Sequence, residues 1–393
     1  MKRAFAISVS TFLISSTSTI WANATRNPRP EEWWFGTWDI QNKVWPISKG
    51  QGVTVALIDT GVNAQLPDLR GKVLAGKNFF GPKGDGLEDL GAGGGHGTAM
   101  AALIVGQGTG VGMVGIAPEA KILSIRSDIG MLAPAIDYAI QHGADVINVS
   151  QGLASPAAAG GCEIGIQGAI SRAIARNIVL VAAAGNDANL GTINAEPALC
   201  PGFLAVGAVD YRFRPWIDSQ PAPYIAAAAP GVRVGSIGKA GTFFPDLTGT
   251  SSSSALTAGV AALVRSKYPK MSAREVVQRI VATAHDVDPP GRDEKTGYGL
   301  IRPYHALVDK VPSAAPNPVF AAWDRNEERN NSPSPAATVT RQKDNSSAHQ
   351  AGRNHGDRKI YLSVSLVGVL VVVAGVFIVV RFFRSRENVT RRI

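Results

Sequence analysis

Three short stretches set a reactive side chain among glycines and other small residues: Val55-Ala-Leu-Ile-Asp59-Thr-Gly61, Gly95-His96-Gly97-Thr98 and Gly249-Thr-Ser251. A serine hydroxyl is a poor nucleophile alone. It needs a histidine to take its proton and a carboxylate to orient and stabilise that histidine. Asp59, His96 and Ser251 together could therefore perform acyl transfer. Each stretch by itself says little, since Asp59 also reads as a turn or cap residue, Gly-His-Gly-Thr as a turn, and Gly-Thr-Ser as a helix cap. His142, His285, His305 and His355 have no comparable setting and read as structural or solvated. A fourth stretch, Ala182-Ala-Ala-Gly185-Asn186, offers an amide. Beside the Ser251 N–H at a helix start, Asn186 could donate to a developing oxyanion; in isolation it is a turn asparagine.

These groups need a frame that gathers them. From Gly52 the chain alternates strands and helices. Val53–Ile58, Ala120–Ile125, Asp145–Val149, Ile178–Ala182 and Phe203–Gly207 are apolar runs suited to parallel strands buried on both faces. Helices are expected from His96 through Val105, over Ala133–His142 and Ile164–Ala175, and from Ser251 until Pro269. Ser272-Ala-Arg-Glu275 makes a capping box for one more. This alternation predicts an α/β domain, a mostly parallel sheet with helices on both faces. Asp59, Ser150 and Asn186 fall at or just past strand ends, where such sheets bind ligands.

The four motifs, in this order over roughly residues 50–310, resemble the subtilisin-like serine proteases, or subtilases. The resemblance implies a three-layer fold, a catalytic triad of Asp59, His96 and Ser251, and an oxyanion hole with Asn186. It further implies that Ser150-Gln151-Gly152 pairs with an extended substrate, and that Gly152, Ala183 and Ala184 line the pocket for the side chain before the cut. Ala255 stands where the family usually has proline. Residues 25–50 are too short for a folded propeptide and are expected to pack on the domain as an N-terminal arm. No calcium loop is evident, and neither a metal nor a cofactor is expected.

The rest of the chain gives it an address. Residues 1–24 have a basic start at Lys2 and Arg3, a short apolar run and an Ala22-Asn-Ala24 cleavage site, as in a secretory signal. Residues 311–359 are rich in proline, serine and charge, and are expected to form a disordered linker after a catalytic domain at 51–310. Residues 360–380 carry no charge and suffice for a transmembrane helix, followed by a basic cytoplasmic tail at 381–393. The catalytic domain would then be extracytoplasmic. The net charge of +9 sits mostly in these flanks, since residues 25–310 hold 25 basic and 24 acidic side chains. That balance argues against nucleic acid as a partner. Cys162 and Cys200, the two cysteines of an exported chain, are expected to form a disulfide. Signal, arm, domain, tether, anchor and tail together resemble the mycosins, membrane-anchored subtilases associated with type VII secretion. A protein or peptide substrate and a secretion membrane complex are the partners this implies. The alternative reading is a mainly structural or regulatory part of such a complex.

Overall fold

A computed structural model of the chain describes residues 27–331, apart from 82, 155–160, 192–194 and 288–289. The expected signal, the transmembrane segment and the basic tail lie outside the described residues. Among the described residues no helix is long and apolar enough to cross a membrane.

The sheet has seven strands: β1 (Thr54–Asp59), β2 (Val73–Asn78), β3 (Lys121–Arg126), β4 (Val146–Val149), β6 (Val179–Ala183), β8 (Leu204–Val209) and β9 (Ile225–Pro230). Two short strands, β5 (Leu153–Ala154) and β7 (Ala195–Glu196), pair antiparallel outside it. The order is β2-β3-β1-β4-β6-β8-β9, and every neighbouring pair is parallel. Successive strand residues face opposite sides. Val55 and Leu57 enter one hydrophobic cluster, Ala56 and Ile58 the other. The second cluster is covered by α3 (Leu132–Gln141) and α4 (Ile164–Ala175). The first is covered by α2 (His96–Val105), α5 (Thr250–Lys267), α6 (Ala273–Ala282) and α7 (Pro303–Val308). The result is the expected three-layer α/β arrangement.

The strand order places the site. After β1 the chain turns to one side, to β2 and β3; after β4 it turns to the other. β1 and β4 are adjacent, with Ile58 opposite Val149, so Asp59 and Ser150 leave the sheet side by side at the crossover reversal. A parallel α/β sheet opens its ligand crevice at this point.

The N-terminal arm does more than rest on the surface. Trp34, Ile40 and Val44 are fully buried in the first cluster, with Trp34 in the short α1 (Trp34–Thr37). The Trp34 indole donates to the Val234 carbonyl, and that of Trp45 to Ile116. Glu32 is buried too, its carboxyl accepting from the Arg29 and Val114 amides while burial pushes its pKa up to about 8.

One expectation fails over part of its length. Residues 318–331, assigned to the disordered linker, form α8 (Pro318–Asn331) against the body. Val319 and Phe320 are buried, Arg274 holds Asp324 with two hydrogen bonds, and Ser171 donates to Glu327. The average composition is too polar to fold alone, but one apolar pair and two polar anchors dock a single amphipathic helix. The Cys162–Cys200 disulfide is present.

Candidate active site

Asp59 ends β1 fully buried, in a position only its neighbours can satisfy. Its Oδ1 accepts from the Thr60 amide at 2.8 Å. Both oxygens meet His96 Nδ1, at 2.8 and 3.0 Å. A ring nitrogen flanked by carboxylate oxygens carries the proton, so in the neutral ring the Nε2 lone pair is the free base. The Asp59 charge raises the His96 pKa above its ordinary value, against the opposing effect of burial.

Two glycines allow this approach. Gly95 has φ +94°, left-handed backbone that turns His96 into the first position of α2. At Gly97 a Cβ would sit 2.2 Å from the Gly61 carbonyl oxygen and 3.2 Å from Asp59 Oδ1. Only a bare backbone lets α2 lie this close to the end of β1.

A second buried carboxylate braces the pair. Asp89 accepts from the Thr60 hydroxyl through one oxygen, and from the Thr98 amide and hydroxyl through the other. The Thr60 hydroxyl in turn accepts from the Gly97 amide at 2.9 Å. Sequence reading missed Asp89, which sits in a loop, Gly86-Leu-Glu-Asp89, with no distinctive pattern.

Ser251 lies in the first turn of α5 and is nearly buried. Its hydroxyl donates to the Ser150 carbonyl at 2.7 Å. Among the described residues, no hydrogen bond joins it to His96. The line of hydrogen bonds from Asp59 therefore stops at the imidazole. The hydroxyl still stands one hydrogen bond from Ser150, the residue beside Asp59 across the β1–β4 crevice.

Asn186 follows β6, and its amide is oriented by Thr250. Asn186 Oδ1 accepts from both the Thr250 amide, at 3.0 Å, and the Thr250 hydroxyl, at 2.8 Å. The Thr250 hydroxyl also accepts from the Gly185 amide. Fixing the oxygen this way leaves Asn186 Nδ2 turned outward as a donor. The Ser251 backbone N–H likewise has no acceptor among the described residues. Two donors and a hydroxyl thus border one cavity of about 170 Å³. Thr250 carries no separate mark inside the Gly-Thr-Ser motif, since a supporting hydrogen bond sets no spacing of its own.

The expected pocket residues divide. Ser150, Gly152 and Ala183 line this cavity. Ala184 does not, because the alternation of an extended chain turns it to the opposite side, where it is buried in the second hydrophobic cluster. Gln151 is also outside the lining; its amide donates to the Ser127 carbonyl.

Residues 50–299 match the family model described as the subtilase family. The chain belongs to the subtilase family. Mycosin-3 of Mycobacterium tuberculosis is 34% identical over 304 residues, covering 61% of this chain and 64% of its own length. The chain thus spans somewhat under two thirds of that relative. The crystal structure of MycP1 from the ESX-1 type VII secretion system superposes with a TM-score of 0.65 at 29% identity, covering 73% of this chain and 88% of that one. The periplasmic assembly from the ESX-5 inner membrane complex contains a chain with a TM-score of 0.63 and 26% identity, covering 84% of this chain and 90% of that one. The matched region contains the Asp59–His96 pair and the helix-borne Ser251.

Proposed function

We propose that this subtilase is a membrane-anchored, extracytoplasmic serine endopeptidase that works with a type VII secretion complex. The observation that carries the chemistry is the double contact of Asp59 with His96 Nδ1, which leaves Nε2 as the free base of the ring. Ser251 is the nucleophile. For attack its hydroxyl must exchange the Ser150 carbonyl for His96 Nε2 as its acceptor, through a change of χ1 rotamer. The bond given up contributes about 1 kcal/mol. A substrate N–H donating to Ser150 O competes for the same acceptor, so docking an extended peptide along residues 150–152 favours the reactive rotamer. His96 takes the hydroxyl proton as Oγ attacks the carbonyl carbon. Asp59 stabilises the imidazolium, and Asn186 Nδ2 with the Ser251 N–H receives the oxyanion. His96 then returns the proton to the leaving amine, and water releases the acyl-enzyme by the same route in reverse.

Labelling of the purified protein by a fluorophosphonate probe tests the assignment. Wild type is expected to label and Ser251→Ala to stay blank; undiminished labelling of Ser251→Ala would refute it. The uncharged segment 360–380 supports the anchor, and the run ending at Ala22-Asn-Ala24 supports export. Added protease should then shave the domain from cells whose surface is accessible.

The likeness to the ESX-5 periplasmic assembly favours one further reading, in which the domain is chiefly a structural part of such a complex. Complementation separates the two. Secretion restored by Ser251→Ala supports the structural role, and secretion lost supports catalysis.

A further inference from the structure

Past the last residue of β1 the sheet keeps the two neighbouring strands but loses the one between them. β1 lies between β3 and β4, with Asp59 beside Arg126 and Ile58 beside Val149. At Thr60-Gly61 the chain turns away from the sheet, with Gly61 in left-handed backbone at φ +94°. Ser127 continues from β3, and Ser150-Gln151-Gly152 from β4. Their facing edges border a slot one strand wide, which at two strand spacings is about 9–10 Å across.

Each edge of the slot already holds a side-chain donor. On the β4 edge the Ser150 carbonyl accepts from the Ser251 hydroxyl at 2.7 Å. On the β3 edge Ser127 sends its N–H to the Asp59 carbonyl at 3.0 Å. The N–H and C=O of one residue in an extended chain share an edge, so the Ser127 carbonyl faces the slot as well. The Gln151 amide reaches across and donates to that carbonyl at 3.2 Å. Ser127 is buried, and among the described residues no other donor meets its carbonyl. Without Gln151 it would be an unmet buried acceptor.

An extended peptide in the slot brings a competing N–H. The acyl residue faces the β4 edge through its bond to Ser150. Successive residues of an extended chain bond to opposite edges, so the residue before it faces Ser127. We propose that the Gln151 side chain stands in for the substrate backbone in the free protein, holding the Ser127 carbonyl until the N–H of that preceding residue displaces it. The inference rests on the peptidase reading and names the residue that sets its dependence on substrate length. With Gln151 present, one hydrogen bond is exchanged for another, and reaching Ser127 adds little net affinity. With the Gln151 donor gone, the same contact adds its full worth.

The test uses the full-length protein and two p-nitroanilides built on the residue it cuts after most readily in a casein digest. One is a tetrapeptide. The other is that residue alone, N-acetylated, which keeps the N–H for Ser150 and brings none to Ser127. Active sites are counted by fluorophosphonate labelling. Gln151→Ala removes the donor and its bulk; Gln151→Met removes the donor and keeps most of the bulk. In both, kcat/KM on the tetrapeptide relative to the single residue should rise about fivefold over wild type, through a lower KM. In Gln151→Met, N-methylating the tetrapeptide amide that faces Ser127 should lower kcat/KM by at least about fivefold. A ratio unchanged in both variants, a rise confined to Gln151→Ala, or N-methylation without effect overturns the inference, and the peptidase reading stands if labelling and cleavage persist. Absence of both labelling and cleavage in wild type overturns the two together.

Discussion

Gly97→Ala adds a single methyl at the narrowest contact of the site. The added Cβ would lie 2.2 Å from the Gly61 carbonyl oxygen, 3.2 Å from Asp59 Cβ and 3.2 Å from Asp59 Oδ1. An ordinary non-bonded contact needs roughly 3.2–3.5 Å, so the start of α2 must retreat by about 1 Å. Gly61 is backbone and cannot swing aside. The retreat draws His96 away from Asp59, stretching contacts of 2.8 and 3.0 Å beyond good hydrogen-bond range. A misplacement of about 1 Å in a catalytic group can lower the rate about 100-fold, and a loss of that order in kcat/KM is expected here. Helix propensity argues the other way, since alanine is favoured over glycine by about 1 kcal/mol in a helix. Peptide cleavage normalised to titrated active sites, together with thermal melting, reads both effects. Gly36→Ala in α1 is the control, because its Cβ would meet nothing within 4 Å. A folded Gly97→Ala protein with kcat/KM within about threefold of wild type would refute the reasoning.

Asn186→Ala removes the oriented side-chain donor. Loss of the corresponding amide in subtilisin lowers turnover by about 100- to 1,000-fold, and that known range is carried over here as the expectation for kcat. The pH dependence of His96 has a definite sign. Asp59 raises its folded pKa above the ordinary value near 6.5, so the stabilisation is fully present below about 6.5 and is lost as pH rises through the folded pKa. The stability gap between wild type and Asp59→Asn, from urea unfolding, should therefore narrow with rising pH, while wild-type kcat/KM rises as His96 becomes neutral. Replacing Cys162 and Cys200 by serine opens a 38-residue separation and should cost about 4 kcal/mol, seen as a lower denaturation midpoint.

The central strands were legible because burial on both faces leaves continuous apolar runs; β1, β3, β4, β6 and β8 lie within a residue or two of the segments read from sequence. Ser272 and Glu275 form the reciprocal cap that their spacing predicts. By contrast, β9 is Ile225 followed by four alanines and Pro230, a run with little strand propensity that the sheet edge imposes. β2 is half exposed and carries glycine, lysine and asparagine, so no apolar run marks it. In the site, Asp59, His96, Asn186 and Ser251 announced themselves through motifs. Asp89 and Thr250 did not, because a supporting hydrogen bond leaves no periodic trace. The pairing of Ser251 with the Ser150 carbonyl was equally hidden, since it depends on one χ1 angle and not on residue type. Ala184 was expected on the same wall as Ala183, but the alternation of the extended chain puts the two on opposite sides.

The most direct measurement is a crystal structure of the protein after reaction with a fluorophosphonate. The account predicts phosphorus bonded to Ser251 Oγ, one phosphonyl oxygen within hydrogen-bond reach of Asn186 Nδ2 and the Ser251 N–H, and His96 facing the adduct with Nδ1 still on Asp59. An adduct on a different serine, or on Ser251 with that oxygen turned away from both donors, would contradict it.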